Sequence, residues 1–338
     1  MTARWEDLAT RARGLAAHLL GRVDLDALAR APGLDALAEA LRGRGLLPAE
    51  GPVTPETLEL AVRRMAGARL QLLAAWGRGR NALCAVVFED EDRRSLRALL
   101  RGAVRGAPAE ERLAGLIPTP GLPERALAEL AALRTPGAIA TLLTAWGSAY
   151  GPALLPDAAA TRPDLLTLEY RLNSVFAIRA LRGARAARSR GLIEFVRETV
   201  DVENACTAIV LAGTGPDTPL ARAFVEGGRR LSLEAFSDAV AAPDASAAAR
   251  RLSVAFGSDP LAPVFAQAAA DPAAIEAAIL SRRIAAQNAA ARHDPAGVAS
   301  VLHYVLRLRA EVLDLRRVIW GVMLRAPRPA IAAALVSA

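Results

Sequence analysis

Apolar positions recur along this chain three and four residues apart, and runs that alternate like a strand are scarce. The segment "DVENACTAIVLAG" (201–213) shows the helical spacing most clearly. Val202, Ala205, Cys206, Ile209, Val210 and Gly213 fall on one face. "EVLDLRRVIWGVM" (311–323) repeats the pattern through Val312, Leu315, Arg316, Ile319, Trp320 and Met323. "EDRRSLRALLRGA" (91–103) carries it in its later half, through Leu99, Leu100 and Ala103. The best strand candidate, "CAVVF" (Cys84–Phe88), is short. The pattern predicts an all-α protein.

The three helices stand at a fixed interval. Their opening acids, Glu91, Asp201 and Glu311, are 110 residues apart. "AWGSAYGPAL" (145–154) and "AFGSDPLAPV" (255–264) align without gaps at the same interval, Trp146 over Phe256 and Gly147 over Gly257. A turn followed by a short amphipathic helix recurs in 116–130 and 224–240. Such a unit is too long for a common solenoid repeat. The expectation is three similar helical subdomains, residues 1–105, 106–215 and 216–338, packed as one rigid body with three-fold pseudo-symmetry. The Gly- and Pro-bearing stretches "GAVRGAPAEE" (102–111) and "GTGPDTP" (213–219) mark the seams.

Composition narrows the chemistry. With 53% apolar and only 4% aromatic residues, the core must be built from Ala, Leu, Val and Ile. All 42 basic residues are arginine, because the chain has no lysine. That excludes a phosphate-binding loop of the Gly-Lys-Ser/Thr kind and Schiff-base catalysis. The net charge of +7 is spread over the length, which is compatible with acidic proteins, an anionic membrane surface or nucleic acid. Cys84 and Cys206 lie far apart in apolar segments and read as small buried hydrophobes in a reducing, cytoplasmic compartment. The opening "MTARWEDLATRARG" lacks the apolar core of a signal peptide. The longest uncharged stretch, 135–156, is broken by Pro and Gly, so no segment is expected to span a membrane.

Asp201, Glu203 and Asn204 could form a catalytic cluster, a metal site or a helix start. No histidine lies nearby in sequence, and a helix-start and packing role accounts for the group. His18, His293 and His303 make no ligand pattern, and "GRGRN" (77–81) fits a loop between helices. No catalytic residue, metal or cofactor is expected. The densest basic stretch, 171–191, places Arg171, Arg179, Arg182 and Arg185 near one helical face. It is either a solvated face whose stems cover apolar surface or a docking strip for an acidic partner or lipid headgroups.

Taken together these segments resemble a known family. "LHYVLRLRAEVLDLRRVIWGVMLRAPRPAIAAAL" (302–335) looks like the last block of the socket subunit of rotary ATPases, with Tyr304, Glu311, Asp314, Leu315, Arg316 and Gly321 in the family's places. That socket is the C-type component of archaeal and bacterial A/V-type ATP synthases and the d-type component of eukaryotic V-ATPases. Asp201 and Asn204 match its Asp-x-x-Asn helix, "FVEGGRRLSLEAF" (224–236) its turn with paired glycines, and "RARGLAAHLL" (11–20) its opening helix. Arg94 and Asp314 stand where the family has asparagine. The resemblance implies a funnel-like, non-catalytic central-stalk socket that couples the shaft to a proteolipid rotor ring moving protons or sodium ions. It would sit on the inner face of the plasma membrane, near anionic lipid and the membrane stator subunit. The polar edges of the repeated helices, with Arg94 and Arg316, would line the shaft cavity. A stand-alone helical scaffold is the alternative, and a basic nucleic-acid binder a further one.

Overall fold

The computed structural model describes residues 5–47, 51–214, 223–267 and 272–336. All regular structure among them is helical. Three short helices come first: α1 (Glu6–Ala16), α2 (Arg22–Leu28) and α3 (Leu34–Gly43). The long α4 (Pro55–Trp76) follows, then α5 (Asn81–Leu83), which runs through a π-helical turn (Cys84–Phe88) into α6 (Glu89–Arg105). Next come α7 (Ala109–Leu113), α8 (Glu124–Ala132), α9 (Pro136–Ala145), α10 (Tyr150–Ala158), and the long α11 (Leu165–Ala186) and α12 (Arg190–Leu211). The remainder is α13 (Leu233–Val240), α14 (Ala245–Phe256), α15 (Ala262–Ala266), α16 (Pro272–His293), α17 (Ala299–Met323) and α18 (Arg328–Ala334). The helices α4, α11 and α16 are each 22 residues long. Each is followed by a second long helix, and those second helices carry Glu91, Asp201 and Glu311.

Local chemistry explains where the helices begin. The side-chain oxygens of Thr54, Thr135, Asp164, Ser189, Ser232 and Asp244 each accept an amide N–H from the first turn of the helix they precede. Cys84–Phe88, the strand candidate, is a π-helical turn inside a helix. A lone strand would leave its backbone groups unpaired, whereas helix formers on both sides carry the ladder through. Asp201 and Glu311 do not start their helices: α12 begins at Arg190 and α17 at Ala299, so both acids lie inside. The apolar pattern continues upstream of Asp201 through Phe195, Val196 and Val200, which are buried.

Several helices end in a left-handed residue. Gly45, Gly106 and Gly147 take left-handed conformations after α3, α6 and α9, with φ of 68°, 69° and 72°. After α11 and α17 the same position is held by Arg188 and Arg325, with φ of 51° and 52°. The Ser189 N–H bonds back to Ala184 O, and the Ala326 N–H to Gly321 O, which closes each helix as at the glycines. A side chain in this conformation costs about 1 kcal/mol relative to glycine. Arg188→Gly should therefore raise stability by up to about 1 kcal/mol in denaturant unfolding, and a drop would show that the arginine holds the turn.

The described chain forms two compact units. The first gathers Gly79–Arg112 and Ala126–Ile279, the second Arg4–Arg78, Leu113–Arg125 and Leu280–Ala338. In the first, α11 packs against α6, α10 and α12, and α12 also against α13 and α14. In the second, α1, α4 and α18 pack against α17. Of the two expected seams, the first falls at the glycine ending α6. Most of the second, 215–219, lies outside the described residues.

Candidate functional site

Most of the conspicuous polar groups lie buried on α6, α12 and α17. On α12, Asp201 and Asn204 are each 1% exposed and face the segment 225–231. Asn204 Nδ2 donates to Val225 O at 2.8 Å, and its Oδ1 accepts the Val225 N–H at 2.9 Å. Asp201 accepts the N–H groups of Arg229, Arg230 and Leu231 at 2.9, 2.9 and 3.1 Å. Burial pushes the Asp201 carboxyl above its ordinary range even though those amides pull the other way. The carboxylate is thus a backbone clamp. A Cβ on Gly228 would stand 2.1 Å from Asp201 Oδ1, so only glycine fits the approach.

The second unit uses the same device. Glu311 on α17, 1% exposed, accepts the Leu20 N–H at 2.8 Å and is paired with Arg69. Burial raises its carboxyl too, against the pull of Arg69 and the Leu20 N–H. Asp314, fully buried, accepts the Val336 N–H at 2.7 Å. Asn204 and Asp314 therefore reach backbone 21 and 22 residues downstream, respectively. An asparagine oxygen and a carboxylate both accept N–H, so the exchange keeps the clamp. Arg94 offers donors only, and it turns to Asp90 at 3.4 Å. Glu91 is buried. Arg316 lies 3.4 Å from Glu59, and its guanidinium meets the position a Cβ on Gly115 would take.

A second polar cluster ties α6, α11 and α12 together. Arg93, 0% exposed, donates to Asp90 at 2.6 Å, Asn173 at 2.5 Å and Glu203 at 2.9 Å. Its guanidinium lies 5.0 Å from the Phe176 ring centre. One and two turns along α6, Arg97 pairs with Glu203 at 2.5 Å and Arg101 with Glu169 at 2.5 Å. Burial works against charge at Glu203, but Arg93, Arg97 and Arg94 outweigh it and hold the carboxyl well below its ordinary 4.5. A depressed carboxyl contributes stability above its ordinary pKa and loses it as pH falls below. The stability gap between wild type and Glu203→Gln, read from denaturant midpoints, should narrow from neutral to about pH 3. A gap that stays constant would remove the ion-pair explanation.

These side chains hold backbone segments and neighbouring helices in place. The profile of the ATP synthase (C/AC39) subunit family matches residues 8–333. The chain belongs to that family. It is a family of non-catalytic structural subunits of rotary ATPases. No individual curated protein matches the chain.

In this C/AC39 chain the Arg93–Glu203 cluster is the part that the sequence pattern does not announce. Its signal is the stripe Arg93, Arg97 and Arg101, spaced at four residues on one face of α6. Beside it lies a cavity of about 150 Å³, lined by polar Arg97, Arg101, Glu169, Glu203 and Glu276 and by apolar Leu166 and Ile275 among others. Cys206 also lines it, and burial, with Glu203 and Glu276, pushes the thiol up to about 12 from 9.0. In a Cys84→Ser background, Cys206 should alkylate at mildly basic pH about a thousand-fold more slowly than a free thiol. Alkylation at the free-thiol rate would show that the cavity opens.

The expected basic strip separates into two parts. Arg171 pairs with Asp157 at 2.9 Å and Arg179 with Glu89 at 2.7 Å. Arg182 and Arg185 are exposed and have no ion-pair partner among the described residues. No helix among those residues is long and apolar enough to cross a membrane.

Proposed function

We propose that this C/AC39 chain is the central-stalk socket of a rotary ATPase. It receives the shaft and seats it on the proteolipid rotor ring at the inner membrane face, so that torque passes between the ATPase head and the ion-carrying ring. The observation that carries this reading is the use made of the buried ionisable groups. Asp201, Glu311 and Asp314 hold backbone, and Arg93, Glu203 and Asp90 hold helices to one another. A part that transmits torque needs such rigidity and no reactive group. We also read the fold as three similar subdomains, 1–105, 106–215 and 216–338. Support comes from the long helices α4, α11 and α16, which begin at 55, 165 and 272 and are each preceded by short helices.

The test is purification of the tagged chain from native membranes in mild detergent. Ring and shaft proteins should come with it. Recovery of the chain alone, while other rotary complexes in the same extract stay whole, would overturn the reading.

A further inference from the structure

The turn joining α11 to α12 concentrates positive charge that no acid among the described residues neutralises. Arg182, Arg185, Arg188 and Arg190 are all exposed, and none has an ion-pair partner among the described residues. The sequence holds no acid between Glu169 and Glu194. Those two are already engaged, Glu169 by Arg101 at 2.5 Å and Glu194 by Arg229 at 2.6 Å. Farther back on α11, Asp157 and Glu89 neutralise Arg171 and Arg179, so the unbalanced charge belongs to the turn.

Helix physics accounts for only half of this cluster. Arg182 and Arg185 lie near the C-terminal end of α11, where the helix dipole favours a cation. Arg190 is the first residue of α12, where the dipole opposes one. Arg188 occupies the left-handed position that other helices here give to glycine. Neither exposed side chain fills a core or meets an acid. Ile178, 60% exposed, lies on the same side of α11 as Arg182 and Arg185, four and seven residues before them.

We propose that this face of α11 and its turn is a contact for an anionic lipid surface. The guanidiniums would pair with headgroup phosphates while Ile178 reaches the acyl boundary. A bilayer fits better than an acidic protein segment or a nucleic acid. The strip is a helix face and a turn with an exposed aliphatic side chain, and none of its residues lines the cavity described above. The contact is a property of the chain itself and does not depend on its being a socket.

Sedimentation of the purified chain with phosphatidylcholine vesicles, with and without phosphatidylglycerol, tests the idea. Wild type should bind the phosphatidylglycerol vesicles far more strongly, and less so as salt rises. Each arginine lost should weaken binding about five-fold, so the variant Arg182→Gln/Arg185→Gln/Arg188→Gln/Arg190→Gln should lose several hundred-fold. A control of equal net charge, Arg30→Gln/Arg134→Gln/Arg162→Gln/Arg250→Gln, alters exposed arginines elsewhere and should bind nearly as wild type does. Far-UV circular dichroism melts confirm that both variants are folded. Equal losses in the two variants would reduce the effect to net charge and overturn the proposal. Indifference of wild type to phosphatidylglycerol would overturn it in favour of an acidic protein partner.

Discussion

Replacing Arg93 with methionine should destabilise the unit that contains it by about 3–5 kcal/mol. The guanidinium is fully buried and holds Asp90 at 2.6 Å and Glu203 at 2.9 Å. Methionine fills part of the volume but removes the buried cation that Asp90 and Glu203 share, leaving each with only the partly exposed guanidinium of Arg94 or Arg97. The loss therefore comes chiefly from stranded charge rather than from the missing hydrogen bonds. The triple variant Arg93→Met/Asp90→Asn/Glu203→Gln removes those charges and should recover most of the loss. Guanidinium unfolding followed by circular dichroism reads both. A single variant within about 1 kcal/mol of wild type would mean that water already reaches the cluster.

Asp201→Ala should cost about 2–4 kcal/mol and act mainly on the segment 225–231. The side chain satisfies three backbone amides, and without it those N–H groups have no acceptor. The expected gain from relieving a buried carboxylate, visible in its raised pKa, offsets only part of this. Hydrogen exchange locates the effect: the amides of 229–231 should be protected in wild type and exchange rapidly in the variant. Gly228→Ala should copy the result with the Asp201 side chain retained, because its Cβ would lie 2.1 Å from Asp201 Oδ1 and push the carboxylate off the amides. Slow exchange in both variants would show that Asn204 and the surrounding core hold the segment unaided.

Much of the helical plan was legible in the sequence. Period-3.6 apolar positions and Ser, Thr and Asp before them specify helices through local physics, and these helices form as read. The places where local reading failed are those where a neighbour decides. Cys84–Phe88 has strand-like composition, yet a strand needs a partner from elsewhere in the chain. Asp201 and Glu311 read as helix starts because acids favour first turns. Both instead lie mid-helix, since what they satisfy is backbone from another segment. The cluster around Arg93 joins residues 80 and 110 positions apart, and only the packing of α6, α11 and α12 could bring them together.

By itself the sequence determined an all-helical chain with recurring long helices, no lysine chemistry and the pattern of the C/AC39 family, since composition and periodicity act within a few turns. Tertiary structure alone decided what the polar residues do. It made clamps of Asp201, Asn204, Glu311 and Asp314, paired Arg93 with Glu203, and neutralised Arg171 and Arg179 while leaving Arg182 and Arg185 bare. The reason is that a charge's role depends on which group lies within about 3 Å of it and on how much water is excluded, and neither is a property of its neighbours in sequence.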